Sequence, residues 1–431
     1  MLKTIHNNYL YVGLISIVII VSVFFILPGF FPVTFISGSE NNISGIASTT
    51  ESTSTVVIVK KVVKHEATPE AVKGIYMTAC VASMPSFRAK LLKLVNETEL
   101  NSIIIDIKDY TGTVAFSIDS PEFQGNKGGG CKVADMEDFI KTLHDNNIYV
   151  IGRITAFQDP QMTKAHPEWA VKTSSDKSVV WKDRKGLSFV DAGATPMWQY
   201  LVNLAKASYE IGFDEINFDY IRFPSDGNMK DIYFPWSSLI WAAEKNKAVI
   251  PVLVATTTTS STTTTTTVIA PVVLSNKALV MKSFFEFLHK ELKDTGMKLS
   301  VDFFGMTTTN TDDLNIGQVL ETAIPYFDYI SPMVYPSHYP VGFLGYKSVA
   351  DVNAHPYEIV KYSMGAAVKR LITASSTPLK LRPWLQDNDY PVPYTPAMVR
   401  TQIQATYDVG LTSWMLWDAA NTYTQSALKV D

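Results

Sequence analysis

Between residues 71 and 431, short apolar runs rich in β-branched and aromatic residues alternate with longer segments whose apolar positions recur at helical spacing. A strand followed by an amphipathic helix, repeated, is the pattern of a parallel sheet with crossover helices. It predicts eight strands, at 74–80, 102–109, 148–155, 215–224, 298–305, 329–336, 380–386 and 410–418. The intervening helices are clearest at 87–95, 133–146, 196–211, 276–295 and 396–409. Pro196 and Pro396 each follow a Thr, which suits an N-cap and then the first helical position, and Gly296 and Gly410 stand where a C-cap glycine belongs. Eight strands with crossovers predict a closed (β/α)8 TIM barrel. An open doubly wound sheet that binds a dinucleotide would need a GxGxxG turn after its first strand, and there is none. Gly128, Gly129 and Gly130 are not followed by GK[ST], so they read as a bend.

Upstream of this alternation the pattern changes. Residues 9–31 carry no charge and are long enough to cross a hydrocarbon core of about 30 Å, which takes roughly 20 helical residues. The run ends in Leu27, Pro28, Gly29, Phe30 and Phe31 without a small-x-small cleavage site, which favours an uncleaved transmembrane anchor in the lipid bilayer over a signal peptide. Lys3 precedes the run and the next basic residue is Lys60, so the positive-inside rule places the N-terminus in the cytoplasm and the barrel outside the cell membrane. Secretion after cleavage is the alternative. Residues 37–70, rich in Ser, Thr, Gly and Asn, read as a linker. Thr256 to Thr267 is nearly all Thr and Ser, and the surrounding 227–273 has no sustained helical pattern, so that stretch reads as a low-complexity insertion in a loop. The chain thus divides into a cytoplasmic tip and anchor at 1–36, a linker at 37–70, and a barrel at 71–431 interrupted by the insertion.

Composition narrows the chemistry. In 431 residues, 46% are hydrophobic, enough for a large core and too many for wholesale disorder. A formal net charge of -4 provides no basic footprint for nucleic acid. The two cysteines do not form a CxxC pair, and the seven histidines form neither HxH nor HExxH, so neither a metal site nor a cofactor is expected. A serine nucleophile lacks its GxSxG elbow. Cys80 and Cys131 both fall at the rim where the strands end. An exported domain could oxidise them, and the alternative is a pair of buried thiols.

In such a barrel the active site forms at the C-terminal ends of the strands. Polar residues gather there: Asp106, Lys108 and Asp109 on the second strand, Arg153 on the third, Asp219 and Arg222 on the fourth, and Asp302 on the fifth. Tyr335 ends the sixth, Gln386 and Asp387 the seventh, and Asp418 the eighth. Alternation puts Glu215, Asn217 and Asp219 on one face, and Asp106 with Lys108 on one face. Any one of these residues reads equally as a hydrogen-bonded filler of the barrel. As a set they do not, because buried charge is costly unless paired and only Arg153, Lys108 and Arg222 are at hand. Clustered carboxylates without a metal signature suggest glycoside hydrolysis, with one acid protonating the leaving oxygen and another attacking the sugar or activating water. No Glu lies at a strand end, so the expected pair is Asp219 and Asp302, with Asp106 as a substitute for either. Tyr335, Trp384 and Trp417 offer faces for sugar C–H groups, the alternative being core packing.

The segments KGIYMTA at 73–79, IIIDIKDYTG at 103–112, GRITAFQDP at 152–160, FDEINFDYIRFP at 213–224, SVDFFG at 300–305 and YISPMVYPSHY at 329–339 resemble a bacterial TIM-barrel family described as a putative glycosyl hydrolase domain. The resemblance covers about residues 71–420 and implies a barrel that acts on glycosidic bonds. That family is similar to the wider alpha-amylase-like barrels, in which an Asp ending the fourth strand is the nucleophile, and Asp219 holds the matching position. Their acid/base is often a Glu after the fifth strand, where this chain departs and offers Asp302. The expectation is a membrane-anchored extracellular hydrolase of a polysaccharide. Arg153 and Arg222 would hold carboxylates ionised or bind anionic groups, and Lys108, Asp109, Tyr335, Trp384, Gln386, Trp417 and Asp418 would complete the binding surface. The rivals are a non-catalytic glycan-binding barrel and an envelope protein that makes contacts through its Thr-rich loop.

Overall fold

The computed structural model describes residues 63–124, 130–244, 249–254 and 268–430. Eight parallel strands close into a barrel: β1 Lys73–Met77, β2 Ser102–Lys108, β3 Tyr149–Thr155, β4 Glu215–Asp219, β5 Lys298–Phe304, β6 Tyr329–Met333, β7 Trp384–Gln386 and β8 Trp414–Trp417. Each pairs with its neighbours in chain order, and β1 closes on β8 through Gly74 and Met415. The outer helices are α1 Pro85–Asn96, α2 Met136–His144, α3 Thr195–Tyr209, α4 Ser237–Glu244, α5 Asn276–Leu292, α6 Pro356–Thr373 and α7 Pro396–Asp408.

Alternation on the strands produces two cores. Outward residues such as Ile75, Ile103, Ile105, Ile216, Phe218, Val301 and Leu416 pack under helix residues that include Leu91, Phe139, Leu201, Phe284, Met364 and Ile403. Inward residues form a second cluster of Val72, Tyr76, Ile104, Tyr149, Ile151, Tyr335, Trp384 and Met415. These apolar fillers come largely from β8, β1, β2 and β3. On the other side of the interior, Glu215 accepts from Arg382 at 2.8 Å and from the Tyr149 hydroxyl at 3.1 Å, while Asn217 donates to Ser300 at 3.1 Å. A polar seam therefore runs from the barrel floor toward the rim.

Several boundaries differ from expectation, each for a local reason. Cys80 lies in a helical turn, Ala79–Ala82, that the Thr78 hydroxyl caps. Strand β4 stops at Asp219 because Tyr220 takes a left-handed backbone with φ 52°. Thr195 is the first residue of α3, and Ala194 precedes it without a side-chain cap, whereas Thr395 does cap α7 by accepting from Met398 N–H. Residues 63–70, assigned to the linker, run along the barrel floor: Glu66 N–H donates to Asp214 at 2.7 Å, and the His65 ring stacks on Tyr209 at 3.9 Å. The described parts of the insertion carry regular structure. Its start is pinned by Asp191, which accepts from Trp236 and Ser237 N–H groups, and Phe234 is buried. It then carries α4 and an antiparallel hairpin, Val249–Val254 with Val268–Val273. Thr256 to Thr267 and the predicted anchor at 9–31 lie outside the described residues. Among the described residues no helix is long and apolar enough to cross a membrane.

Cys80 and Cys131 form a disulfide across 51 residues of chain, tying the turn after β1 to the loop after β2. In the loop-closure picture a ring of that length restricts the denatured chain by about 4 kcal/mol, and roughly 2–4 kcal/mol is typical. The Cys80→Ser, Cys131→Ser double variant should lose stability in that range when unfolded in urea. An unchanged midpoint would mean that the crosslink constrains nothing.

Candidate active site

The strand ends meet around one arginine. Asp106 and Arg153 are paired across β2 and β3, and Asp219 faces Thr155 across β3 and β4. Arg153 donates from Nη1 to Asp106 Oδ1 at 2.7 Å and from Nη2 to Asp219 Oδ2. Its Nε stands 3.8 Å from Asp302 Oδ2. The guanidinium carbon lies 5.5 Å from the ring centres of both Tyr76 and Trp417. All four ionisable groups are buried, an arrangement tolerable only because the cation shares hydrogen bonds with two of the acids.

The acids do not share one environment. Burial, followed by the charge of Asp219, pushes the Asp302 carboxyl well above the usual range, against the pull of Arg153 and of donors from Trp384 and Asn217. Burial also raises Asp106, although Arg153 and the Tyr76 hydroxyl, which donates at 2.5 Å, pull it back. Asp219 accepts on both oxygens, on Oδ2 from Arg153 and on Oδ1 from the Tyr220 N–H at 2.5 Å. The left-handed turn at Tyr220 aims that N–H back at the carboxylate. Such a backbone is costly for a bulky residue and tends to persist where a site uses it.

These groups floor a cavity of about 800 Å³, within the size range of ligand pockets. One wall is aromatic: Tyr76 stacks on Trp417 at 4.2 Å, Trp384 meets Trp417 edge-on at 5.8 Å, and Tyr335 lies 6.3 Å from Trp417. Asp109, Tyr110, Tyr220 and Arg222 line the cavity as well. Among the described residues, no group of three or more His, Cys, Asp or Glu side chains is arranged to hold a metal ion.

Nine of the predicted site residues line this cavity: Asp106, Asp109, Arg153, Asp219, Arg222, Asp302, Tyr335, Trp384 and Trp417. Three do not. A bulge between Asp106 and Lys108 breaks the alternation and pairs Lys108 with the outward-facing Ile154. Its ammonium is buried in an ion pair with Asp159 at 2.8 Å and donates to Thr155 O at 2.6 Å. Gln386 bridges loops, accepting from Ser337 N–H and donating to the Asn388 and Tyr390 carbonyls. Asp418 caps its own turn by accepting from Ala420 and Thr422 N–H groups. Asp387 performs a similar task with Thr424, and burial raises its carboxyl to about 6. Arg222 reaches the cavity but not the acids: Nη1 donates to Ser225 Oγ at 3.0 Å and its head lies over Tyr220.

Tyr76 and His338 also line the cavity and were not anticipated. Tyr76 alternates with Ile75 and Met77 on β1, so its inward direction was readable, but a tyrosine in a strand reads first as filler. His338 sits in a loop after β6, where burial lowers its ring pKa, and no periodicity points to it.

Residues 74–423 match a protein family described as a putative glycosyl hydrolase domain. Among solved structures, a hypothetical protein from Ruminiclostridium thermocellum ATCC 27405 is 27% identical over 53% of this chain and 96% of its own, with a TM-score of 0.40. The PgaB (BpsB) glycoside hydrolase domain from Bordetella bronchiseptica is 10% identical over 84% of this chain and 99% of its own, with a TM-score of 0.54. The catalytic domain of beta-amylase from Paenibacillus polymyxa is 10% identical over 84% and 96%, with a TM-score of 0.49. At 10% identity the likeness to the PgaB domain extends to the fold alone. No curated protein matches the chain.

Proposed function

The chain belongs to the putative glycosyl hydrolase domain family, and from that premise we propose that it hydrolyses glycosidic bonds of a polysaccharide, with Asp302 as general acid and Asp219 as nucleophile or general base. The observation that carries this reading is the unlike surroundings of two acids beneath one guanidinium. Asp302 is pushed toward its protonated form by burial and by the charge of Asp219, whereas both Asp219 oxygens accept hydrogen bonds. A carboxyl kept toward its protonated form, beside a second whose oxygens both accept, is the pairing of proton donor and partner that glycoside hydrolysis needs.

Asp302 gives its proton to the glycosidic oxygen as the C–O bond breaks and the electron pair leaves with that oxygen. Asp219 either attacks the anomeric carbon or takes a proton from the attacking water. Its carboxylate, with that of Asp106, stabilises the positive charge that develops on the sugar. The aromatic wall packs against the C–H face of the ring. The proposal includes an anchor at residues 9–31 with the barrel outside the cell; the disulfide supports it, since such bonds persist in oxidising compartments.

The test is release of new reducing ends from a panel of polysaccharides, followed across pH. An acid must be protonated to donate, so activity should fall as pH rises through the raised pKa of Asp302. Polymers that bind without any cleavage would instead assign the barrel to glycan binding.

A further inference from the structure

Asp302 is gripped by one oxygen only. Its Oδ1 accepts from the Trp384 indole N–H at 2.8 Å and from the Asn217 amide at 3.0 Å. No hydrogen bond reaches Oδ2 among the described residues; Arg153 Nε stands 3.8 Å away, beyond hydrogen-bond reach. That Nε is buried without a partner, although the two terminal nitrogens of the same guanidinium bond to Asp106 and Asp219. An ionised Asp302 would be expected to draw Nε into a charge-assisted bond. The gap suits a neutral acid.

Which oxygen bears the proton then follows from the donors. An indole N–H can only donate, so Oδ1 stays an acceptor whatever the state of the acid. The Asn217 amide points its NH2 group at both Asp302 and Ser300. We propose that Trp384 and Asn217 are positioning residues that keep the Asp302 proton on Oδ2, the oxygen that stands 3.8 Å from Arg153 Nε. The wall of the barrel thereby selects one of two orientations of a carboxylic acid before any substrate arrives, and proton transfer needs no rotation of the group. The catalytic meaning of this placement rests on the proposed function, but the placement itself does not.

The two are separable by experiment. Infrared titration of the wild type minus Asp302→Asn isolates the carbonyl stretch of protonated Asp302. A carbonyl that accepts two hydrogen bonds absorbs at lower frequency than a free one. The wild-type band should lie low, move up in Trp384→Phe, and persist to higher pH there, because the lost donor favoured the ionised form. Asn217→Ala should shift it in the same direction and serves as the second variant if the indole change disturbs the wall. A free-carbonyl frequency in the wild type, or no shift in either variant, overturns the proposal. Kinetics form the second arm: Asn217→Ala, which does not touch the aromatic wall, should lower kcat at least tenfold for a sugar leaving group, with KM within about twofold, and spare a 2,4-dinitrophenyl glycoside, whose leaving group needs little protonation. Shifted bands in a protein that cleaves nothing would keep the positioning and remove the proposed function.

Discussion

Asp219→Asn is expected to abolish hydrolysis, lowering kcat on the order of 10^4-fold or more, while the barrel remains folded. The amide cannot act as nucleophile or base. Structurally the exchange is mild, for two reasons. Asn keeps an oxygen that can accept the Tyr220 N–H now bonded to Oδ1, although its NH2 group then faces Arg153 Nη2, which loses that acceptor. The charge ledger also improves: Arg153 faces Asp106 and Asp219 in hydrogen-bonded ion pairs, and with Asp302 neutral the substitution turns one cation against two anions into one against one. Because the charge of Asp219 is a cause of the raised pKa of Asp302, the variant should also titrate Asp302 at lower pH, in the infrared experiment above. Equal cleavage by variant and wild type on any polymer would remove Asp219 from the chemistry. Loss of cleavage together with loss of the cooperative unfolding transition would make its role structural.

Much of this arrangement was legible because a barrel strand declares its two faces. Ile216 and Phe218 alternate with Asn217 and Asp219, and only the second set can meet at an enclosed rim. The same rule located Asp106, Arg153 and Asp302. It failed where backbone geometry departs from the repeat of two. The bulge at β2 sends Lys108 out of register, and the left-handed Tyr220 ends β4 early. It also could not separate a rim residue that faces ligand from one that braces a loop, since an amide or carboxylate suits both tasks, as Gln386 and Asp418 show. The insertion shows a further limit. Its Thr run dominates the composition, whereas the residues that dock its start find partners that composition does not reveal, Phe234 at Phe223 just before the insertion and Trp236 at Asp191, 45 residues upstream.

Arg153→Met should be the most destabilising exchange at the site, and its cost should depend on pH. The side chain is buried and is hydrogen-bonded to two buried acids, with a third 3.8 Å away. Removing one partner of a buried ion pair typically costs about 3–5 kcal/mol, because the remaining charge is left without compensation. Here the acids can escape by taking up protons. Arg153 is a cause that lowers the pKa of both Asp106 and Asp302, so without it both rise further. An acid whose folded pKa lies above its unfolded value contributes stability that is complete below the unfolded pKa and is lost as pH rises through the folded one. The variant should therefore approach the wild type near pH 4–5, within the ordinary carboxyl range, and fall furthest behind at pH 7 and above. Urea unfolding of both proteins at the two ends of that window measures the difference. A deficit independent of pH would show that packing, and not charge, is what Arg153 contributes. Arg153→Lys should recover only part of the loss, since a single ammonium cannot reproduce the fork that spans Asp106 and Asp219.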